Sequence, residues 1–436
     1  MQAVIMAGGK GTRLRSVTND EVPKPMALID GKPILQWQIE CLRRNGIINI
    51  IIVIGYLGEK IEEFFGNGSS FGVYISYYKE VQPLGTAGAL VELSDRLEER
   101  FLLVFGDTIF DINIAQMIAF HQKKQAKATL FVHPNSHPFD SDIVLRTQDG
   151  CVQGFLSKNN ERRGWYDNCV NAGFYIIERI LCNRIPRNKK TDLEKNVLWP
   201  LAKEGDAIYA YQSPEYIKDV GTPDRIAAAA EDLRTGMVAA HNLKKKQKCI
   251  FLDRDGTVNK YCGLISDPEE LELEETAAQA IRLLNRSSFL TIVITNQPVV
   301  ARGMCSIEDV ETIHKKLKTL LGRQEAYLDD ILFCPHHPDK GYPEENPVYK
   351  IHCHCRKPDI GLLKVCAEQY NIDLCASWMI GDTTVDIQTG ENAGMHTALI
   401  LTGEAGRDCK YAVTPDLICE NLLEAVKLIL TKENAV

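Results

Sequence analysis

The stretch AVIMAGGKGTRL at residues 3–14 runs from an apolar segment into a loop with three glycines. In α/β folds, a buried strand followed by such a loop presents backbone N–H groups to a phosphate. A second stretch, CIFLDRDGTV at residues 249–258, also runs from an apolar strand into a loop, but this loop carries two aspartates. The first loop supplies glycine backbone and an arginine, whereas the second supplies two carboxylates. The two stretches therefore predict two sites of different phosphate chemistry on one chain.

Length and composition indicate an ordinary globular protein of more than one domain. The chain has 436 residues, more than one hydrophobic core usually serves, with 45% hydrophobic and 25% charged residues. A net charge of −8 argues against nucleic acid or an anionic membrane as the main partner. The apolar run Ile47–Ile54 is too short to cross a bilayer, and no leader pattern precedes Ala3. Fourteen scattered cysteines then indicate reduced thiols in a cytoplasmic protein.

Short apolar segments alternate with amphipathic ones in both halves, which predicts an α/β protein with parallel sheet covered by helices. The segment 237–247 lacks periodicity and contains three consecutive lysines, as a solvated linker does. We therefore expect a domain at 1–236, a linker at 237–247 and a second domain at 248–436. The patterns predict helices at 33–45 and 223–234, and strands at 2–7, 48–54, 101–105, 127–133, 143–156, 172–177, 249–253, 290–295, 376–381 and 396–401.

Several further motifs in the first half suit nucleotide chemistry. The glycine loop alone is weak evidence for a phosphate site. Its spacing fits neither the dinucleotide-binding pattern GxGxxG nor the phosphate loop GxxxxGK(S/T), and a tight turn after the strand would also explain the glycines. However, Lys24 stands between two prolines in VPKPM, and Gly85 lies in a second glycine loop, PLGTAGA. Asp107 ends the apolar strand 101–105, and Asp219 in KDVGTP offers a second carboxylate for a Mg²⁺ ion.

Residues 1 to about 235 resemble the sugar-1-phosphate nucleotidyltransferases, which have a Rossmann-like fold. The motifs GGKGTRL, PKPM, NAGFY and DVGTP occur in the family's order. The resemblance implies that Asp107 and Asp219 hold Mg²⁺, and the form PLGTAG is closest to guanylyltransferases. It implies sugar-phosphate contacts by Lys158, Asn171 and Gly173, although FLSKNN keeps only the lysine of the family's Glu-Lys-Pro. It also implies nucleotide-binding residues, with Lys24 and Arg13 acting in catalysis: Gly8, Gly9, Gly11, Thr12, Arg13, Lys24, Gly85 and Asp107.

The second half carries the residue types of a phosphomonoesterase. Asp253 and Asp255 can divide the work of nucleophile and general acid, although a lone pair of this kind is often only solvated acids. Thr295 ends an apolar strand in ITNQP, Lys357 follows Arg356, and Asp382 ends a further strand in IGDTTVD. Together these later motifs favour a catalytic site.

Residues 249–430 resemble the haloacid dehalogenase phosphatase superfamily. The resemblance implies that Asp253 is the nucleophile and Asp255 the general acid and base. It implies that Thr295 and Lys357 hold the phosphoryl group. The side chains of Asp253 and Asp382, with the backbone carbonyl of Asp255, would bind Mg²⁺, and Asp386 would lie behind these ligands.

Between these motifs, CPHHP and HCHC place two close pairs of metal-ligand residues about twenty positions apart. Cys334, His336, Cys353 and Cys355 form a set suited to a tetrahedral structural zinc site. His337 and His354 are rival ligands that spacing does not exclude, and buried thiols without metal are the alternative.

The cysteine and histidine insertion is similar to that of D-glycero-D-manno-heptose 1,7-bisphosphate 7-phosphatases and of histidinol-phosphate phosphatases. A 7-phosphatase yields the 1-phosphate that a sugar-1-phosphate guanylyltransferase consumes, so we expect a bifunctional enzyme that forms GDP-heptose. The same reactions on another sugar or base, or a histidinol-phosphate-type phosphatase fused to another transferase, are alternatives. The expected partners are sugar phosphates and NTP, and a homo-oligomer is left open. The resemblance implies these substrate contacts in the phosphatase: Tyr261, Cys262, Gly263, Leu264, Thr295, Asn296, Gln297, Pro298, Arg356, Lys357 and Thr383.

Overall fold

The computed structural model describes residues 1–9 and 14–434, so Gly11, Thr12 and Arg13 of the predicted nucleotide site lie outside the described residues. The chain forms two compact units. The first unit comprises residues 1–133, 142–157 and 170–242, and the second comprises residues 134–141, 158–169 and 243–436. Among the described residues, no helix is both long and apolar enough to span a membrane.

The first unit is built on a nine-stranded mixed sheet. Its central strand Gln2–Met6 pairs in parallel with Asn49–Ile54 on one side and with Arg100–Phe105 on the other. Tyr74–Lys79 continues the parallel part, whereas Val170–Glu178 runs antiparallel to Arg100–Phe105. The sheet therefore departs from the wholly parallel one predicted.

The elements of the first unit follow in chain order. Its strands are Gln2–Met6, Leu28–Ile29, Lys32–Pro33, Asn49–Ile54, Tyr74–Lys79, Arg100–Phe105, Thr108–Asp111, Ala128–His133, Ile143–Arg146, Val152–Leu156, Val170–Glu178, Ile208–Gln212 and Tyr216–Asp219. Its α-helices are Arg15–Thr18, Ile34–Arg44, Gly58–Phe65, Gly88–Glu92, Ile114–Lys124, Trp199–Lys203, Pro223–Arg234 and Met237–Ala240, and Glu194–Leu198 is a π-helix.

Hydrophobic periodicity explains the elements that were predicted. The helix Ile34–Arg44 buries Ile34, Leu35, Ile39 and Leu42, which share one face at helical spacing. The prediction of one strand over 143–156 is wrong, because two antiparallel strands, Ile143–Arg146 and Val152–Leu156, form a hairpin there. A turn closed by hydrogen bonds between Thr147 and Cys151 interrupts the apolar pattern.

The first unit's strand order places two loops side by side. In chain order its parallel strands are arranged 3-2-1-4, so the strands Gln2–Met6 and Arg100–Phe105 are neighbours whose chain connections leave in opposite directions. Such a switch point opens a crevice at the carboxyl ends of the strands. The loops that begin at Ala7 and at Gly106 border this crevice.

The second unit contains a six-stranded parallel sheet with the order 3-2-1-4-5-6. The switch point lies between Lys248–Leu252 and Trp378–Gly381, so Asp253 and Asp382 emerge next to each other at its crevice. The strands are Lys248–Leu252, Phe289–Asn296, Asp330–Cys334, Trp378–Gly381, His396–Ile400 and Leu417–Cys419. The α-helices are Ala277–Leu284, Ile307–Arg323, Gly361–Gln369, Thr384–Asn392 and Leu422–Asn434.

Two segments from earlier in the chain pack within the second unit, against its helix Ile307–Arg323. The backbone N–H of Tyr166 donates to Thr319 Oγ1, and this hydroxyl donates to the Tyr166 carbonyl, both at 3.1 Å. Lys318 Nζ lies 2.6 Å from Asp167 Oδ1. Residues 158–169 are thus part of the second unit's packing.

Candidate active sites

Lys24 and two aspartates converge in the crevice of the first unit. Lys24 Nζ donates to Asp107 Oδ2 at 2.5 Å. Strand pairing sets Asp219 opposite Thr108, and the N–H of Val220 donates to the Asp107 carbonyl at 2.9 Å. A Cβ added to Gly221 would lie 2.7 Å from Asp219 Oδ1 and 2.9 Å from Lys24 Nζ, so both side chains reach this glycine. The structure therefore brings Lys24, Asp107 and Asp219 together as the sequence predicts.

Each of the two carboxylates at this site is paired with a cation. Asp219 Oδ2 lies 2.7 Å from Arg225 Nη1, and Asp107 is paired with Lys24. Two carboxylates in one crevice suit Mg²⁺, and two cations suit phosphate oxygens. Arg225 was not predicted; its signal is its position on the helix that follows the DVGTP motif.

The two glycine loops of the first unit are connected by Glu80, which sequence reasoning missed. Glu80 Oε1 accepts the N–H of Leu84 at 3.2 Å, and its carboxylate lies against Gly8. Burial raises the pKa of Glu80 above its ordinary value. Gly85 has φ +82°, and a Cβ there would collide with the carbonyl of Thr191, so this position requires glycine.

A hydrogen-bond chain organises the predicted sugar side. Asn171 Nδ2 donates to Tyr175 Oη at 2.8 Å, and Tyr175 Oη donates to Glu194 Oε1 at 2.7 Å. Glu194 opens the π-helix Glu194–Leu198 and lines a small open cleft. The lining comprises Asp142, Phe155, Ser157, Glu194, Lys195 and Trp199.

Glu194 is a carboxylate beside Asn171 and Tyr175 that sequence reasoning did not find. Burial raises its pKa above the ordinary value, and the Tyr175 hydroxyl opposes that shift. Its signal was the pair Glu194-Lys195 in DLEKN, which repeats the acid-then-lysine order lacking before Lys158. Gly173, with φ +72°, packs against the ring of Phe105. Lys158 belongs to the second unit, unlike Asn171 and Gly173.

The second unit gathers three carboxylates and a lysine at its crevice. Lys357 Nζ donates to Asp253 Oδ1 at 2.7 Å and to Asp386 Oδ1 at 2.5 Å. One oxygen from each of Asp253, Asp382 and Asp386 lies within 4.8 Å of the others, and all three residues are buried. We expected Asp386 to lie behind the metal ligands, but the structure places it among the carboxylates. The reason is that its helix, Thr384–Asn392, begins directly after the Asp382 loop.

Electrostatics indicates that this carboxylate group suits a cation. Burial, with the neighbouring carboxylates, raises the pKa of Asp253 to about 7 and that of Asp382 to about 8. Asp382 Oδ1 is buried without a hydrogen-bond partner. Burial alone would lower the pKa of Lys357, but Asp253 and Asp386 raise it, so the ammonium stays charged. An orphaned buried oxygen among three carboxylates fits Mg²⁺.

The Asp255 carboxylate is fixed by a buried network. Arg254, which is completely buried, donates from Nη2 to both Asp255 oxygens at 2.9 Å. Gln297 Nε2 donates to Asp255 Oδ2 at 2.8 Å and to Thr295 Oγ1 at 2.9 Å. Arg254 also donates from Nη1 to His314 Nε2 at 3.2 Å. Sequence reasoning missed Arg254 and His314, since a charged residue between two aspartates suggests solvent exposure.

The other predicted substrate residues are distributed around this crevice. Asn296 holds the loop of Lys357, since its side chain accepts the Lys357 N–H at 3.0 Å and donates to the Lys357 carbonyl at 3.1 Å. Thr383 Oγ1 donates to Asp386 at 2.5 Å, which caps a helix. Tyr261 and Leu264 are exposed on a loop that also carries Cys262 and Gly263. This loop lies near the carboxylates, since a hydrogen bond with Glu404, together with the charges of Asp382 and Asp255, raises the pKa of the Tyr261 hydroxyl.

Cys334, His336, Cys353 and Cys355 lie together with their ligand atoms turned inward. The three Sγ–Sγ distances are 3.2, 3.3 and 3.5 Å, and His336 Nδ1 lies 3.3 Å from Cys355 Sγ and 3.6 Å from Cys334 Sγ. A tetrahedral zinc ion with bonds of about 2.3 Å to sulfur separates its ligands by roughly 3.8 Å, so the four atoms fit zinc after a small expansion. His337 Nδ1 instead accepts the N–H of Asp339, and neither rival histidine joins the group.

Comparison with known proteins bears on both units. A family model described as nucleotidyl transferase matches residues 2–236. The chain belongs to the nucleotidyl transferase family. A HAD-hydrolase-like family model matches residues 354–425, which include Lys357, Asp382 and Asp386, and the second unit is a haloacid dehalogenase-like domain. The predicted fold class and the two enzyme classes are confirmed.

Two curated relatives of this nucleotidyl transferase family member are sugar-1-phosphate guanylyltransferases, and one solved structure similar to the second unit is a phosphatase. The mannose-1-phosphate guanylyltransferase of Mycobacterium tuberculosis is 32% identical over 56% of this chain and 67% of its own. The D-glycero-alpha-D-manno-heptose 1-phosphate guanylyltransferase of Aneurinibacillus thermoaerophilus is 34% identical over 54% of this chain and 99% of its own. The crystal structure of a D,D-heptose 1,7-bisphosphate phosphatase from B. bronchiseptica, with magnesium and phosphate, has a TM-score of 0.38 and 30% identity, and covers 43% of this chain and 99% of that one.

Proposed function

We propose that this chain is a bifunctional enzyme that removes the 7-phosphate of D-glycero-D-manno-heptose 1,7-bisphosphate and then transfers GMP from GTP to the heptose 1-phosphate. The observation that carries the proposal is the presence of two separate switch-point sites on one chain, one with paired cations and carboxylates and one with a buried nucleophile. The first half is similar over its whole length to a heptose 1-phosphate guanylyltransferase. The two reactions share one metabolite, which gives the fusion a chemical reason.

In the phosphatase site, the buried Asp253 carboxylate attacks phosphorus and forms an aspartyl phosphate. Lys357 neutralises the phosphoryl oxygens and holds Asp253 in place at 2.7 Å. Asp255, held by Arg254 and Gln297, protonates the leaving sugar oxygen and then activates water. Asp253 and Asp382, with Asp386 beside them, would hold Mg²⁺, which supplies positive charge that lets two anions approach.

In the transferase site, the sugar 1-phosphate displaces pyrophosphate from the α-phosphorus of GTP in one step. Lys24 steadies the phosphates, and Asp107 and Asp219 would hold Mg²⁺, which supplies charge neutralisation when bound. The cleft around Glu194 receives the sugar, with Asn171 and Tyr175 fixing the carboxylate. Positioning therefore provides most of the catalysis.

Zinc, held by Cys334, His336, Cys353 and Cys355, has a structural role in this proposal. Four protein ligands leave no open position for substrate. Cys355 is followed directly by Arg356 and Lys357, so the metal would fix the loop that supplies Lys357 to the nucleophile.

A second candidate is the same pair of reactions on a different sugar, since the mannose-1-phosphate guanylyltransferase is nearly as similar to the first half. The test is mass spectrometry of the intact protein with heptose 1,7-bisphosphate, mannose 1-phosphate and a mixture of NTPs. We expect GDP-heptose as the main nucleotide sugar. A main product with another sugar or base would refute the substrate assignment.

A further inference from the structure

A buried histidine of the second unit contacts the arginine that holds Asp255. His314 lies on the helix Ile307–Arg323, is 6% exposed and has no role in the chemistry proposed above. The Arg254 guanidinium donates from Nη1 to His314 Nε2 at 3.2 Å, across 60 positions of sequence. Among the described residues, this Nη1 has no other hydrogen-bond partner. The orientation of the Arg254 side chain therefore depends on His314.

The other edge of the guanidinium is fully engaged with Asp255. Arg254 Nε donates to Asp255 Oδ1 at 3.1 Å, and Nη2 donates to both carboxylate oxygens at 2.9 Å. Arg254 is completely buried, so loss of the acceptor at Nη1 would leave a buried donor unpaired, which is costly. A guanidinium is planar, so its edges turn together. Any rotation that gave Nη1 a new acceptor would also turn the edge that faces Asp255.

The remaining contacts of Asp255 depend partly on the same arginine. Gln297 Nε2 donates to Asp255 Oδ2 at 2.8 Å, and Asn259 Nδ2 donates to Asp255 Oδ1 at 3.0 Å. The Gln297 side chain in turn accepts from Arg254 Nη2 at 3.0 Å. Arg254 thus orients the carboxylate both directly and through Gln297, and a displacement of Arg254 reaches Asp255 by both routes.

The acceptor that His314 offers to Arg254 carries no charge. Arg254 Nη1 can only donate, so His314 Nε2 accepts and the ring is neutral. Burial, together with the charges of Arg254 and Lys318, keeps the pKa of His314 well below its ordinary value, which agrees with this state. A carboxylate at the same place would compete with Asp255 for the guanidinium. The neutral imidazole satisfies Nη1 and leaves the positive charge directed at Asp255.

Packing holds His314 itself in place. Its ring meets the ring of Phe333 edge to face, with 5.3 Å between the ring centres. Further along the same helix, Thr319 exchanges two hydrogen bonds of 3.1 Å with the backbone of Tyr166. A capping box fixes the first turn of the helix. The acceptor therefore stands on an element that is held on both sides of His314.

We propose that His314 is a positioning residue of the phosphatase, which through Arg254 sets the Asp255 carboxyl group at the place from which it protonates the leaving sugar oxygen. In that step an Asp253 oxygen forms a bond to phosphorus, the bond from phosphorus to the sugar oxygen breaks, and the Asp255 proton passes to that oxygen. This inference rests on the proposed phosphatase function and deepens it, because it connects a residue of the helix Ile307–Arg323 to the proton transfer.

The test compares two leaving groups that differ in their need for a proton. The sugar oxygen of heptose 1,7-bisphosphate is a poor leaving group unless it is protonated, whereas p-nitrophenyl phosphate releases a stable phenolate. The value of kcat/KM covers the steps up to departure of the leaving group. For the bisphosphate, His314→Leu should lower it at least about tenfold, since general acid catalysis contributes about 10²–10⁴-fold. For p-nitrophenyl phosphate, the loss should stay within about threefold.

Three further variants of the helix complete this comparison. His314→Gln should retain most of the activity on both compounds, because its amide oxygen can accept from Arg254. His314→Phe keeps a ring beside Phe333 and removes the acceptor, so it is a second variant with the same expectation as His314→Leu. Ile313→Ala is the matched control, since it truncates a neighbouring side chain in the apolar core. It should lower the melting temperature without discriminating between the two compounds.

A double variant separates positioning from a general loss of structure. Asp255→Asn removes the acid, so in that background His314→Leu should lower kcat/KM for the bisphosphate by no more than about twofold. Equal losses on both compounds in folded His314→Leu, or a larger further loss in Asp255→Asn, would overturn the positioning role and leave the phosphatase assignment intact. Absence of phosphate release from both compounds in the wild-type protein would instead refute the phosphatase function, and the role of His314 with it.

Discussion

At the residue scale, each reaction depends on one group that the other reaction does not use. Asp253→Asn should lower phosphate release by at least about 10³-fold, because an amide cannot form the acyl phosphate, and should leave nucleotidyl transfer unchanged. Lys24→Ala should lower pyrophosphate release by about 10²-fold or more and spare phosphate release. Separate assays of the two released anions check both variants, each serving as the other's control. Near-normal phosphatase turnover by Asp253→Asn would show that another residue is the nucleophile.

The sequence predicted most of the catalytic residues of the two sites because these residues follow the ends of strands. Asp107, Asp253 and Asp382 each stand directly after a buried apolar run, and strand order then brings such ends together. Arg254 and Glu194 escaped prediction for a different reason. Their roles depend on partners distant in the chain, His314 for Arg254 and Tyr175 for Glu194, and no local pattern announces these partners.

At the element scale, the zinc loop and the helix Ile307–Arg323 support the phosphatase site. Cys353→Ser should remove most of the zinc found by elemental analysis, expected at one per chain, and lower phosphatase activity more than transferase activity. The reason is that Lys357 stands two residues beyond the ligand Cys355. Cys375→Ser changes an exposed cysteine outside the cluster and is the control. Full phosphatase activity in zinc-free protein would contradict the structural role.

The helix Ile307–Arg323 should make stability depend on pH through His314. Burial and the neighbouring Arg254 hold the pKa of His314 well below its ordinary value, so the folded protein keeps it neutral while the unfolded chain protonates near pH 6.5. Stability is therefore fully present above that pH and falls as the pH decreases, by up to about 1.4 kcal/mol per unit. Urea unfolding between pH 7.5 and 5.5 should show a smaller pH-dependent loss for His314→Gln. Equal losses in both proteins would contradict this.

Two parts of the first unit's sheet show what the local apolar pattern of the sequence does not determine. The apolar pattern over 143–156 predicted one strand, but the turn at residues 147–151 divides it into a hairpin. The strand Val170–Glu178 was predicted correctly as a strand, yet its antiparallel direction depends on its pairing with Arg100–Phe105. The direction of a strand depends on its neighbours in the assembled sheet. Buried strands that run parallel and buried strands that run antiparallel have similar apolar runs in sequence.

At the scale of the whole molecule, we propose that the two halves of the chain, divided between residues 242 and 243 where the first unit ends, work independently. Separate chains 1–242 and 243–436 should each keep their own reaction, because each site draws its catalytic side chains from one of them. The second chain lacks Tyr166 and Asp167, which pack on its helix Ile307–Arg323. Its melting temperature should therefore be lower than that of the same unit in the intact protein. Activity assays and thermal unfolding of both chains check this. Loss of both reactions on separation would show that each site needs the other half.

The packing of residues 158–169 could not be predicted, since it joins segments about 150 positions apart.

The order of the two reactions follows from charge. A phosphate at C7 would bring additional negative charge to the sugar cleft of the transferase, whose lining among the described residues has two carboxylates, Glu194 and Asp142, and one cation, Lys195. Burying that charge without sufficient cationic partners is costly. Dephosphorylation should therefore precede guanylyl transfer.

One measurement tests this account most directly: nucleotide-sugar formation by the intact protein supplied with heptose 1,7-bisphosphate, GTP and Mg²⁺. The wild-type protein should accumulate GDP-heptose without a phosphate at C7, and Asp253→Asn should form none until heptose 1-phosphate is added. Efficient guanylylation of the intact bisphosphate by Asp253→Asn, or no GDP-heptose from the wild-type protein, would contradict the account.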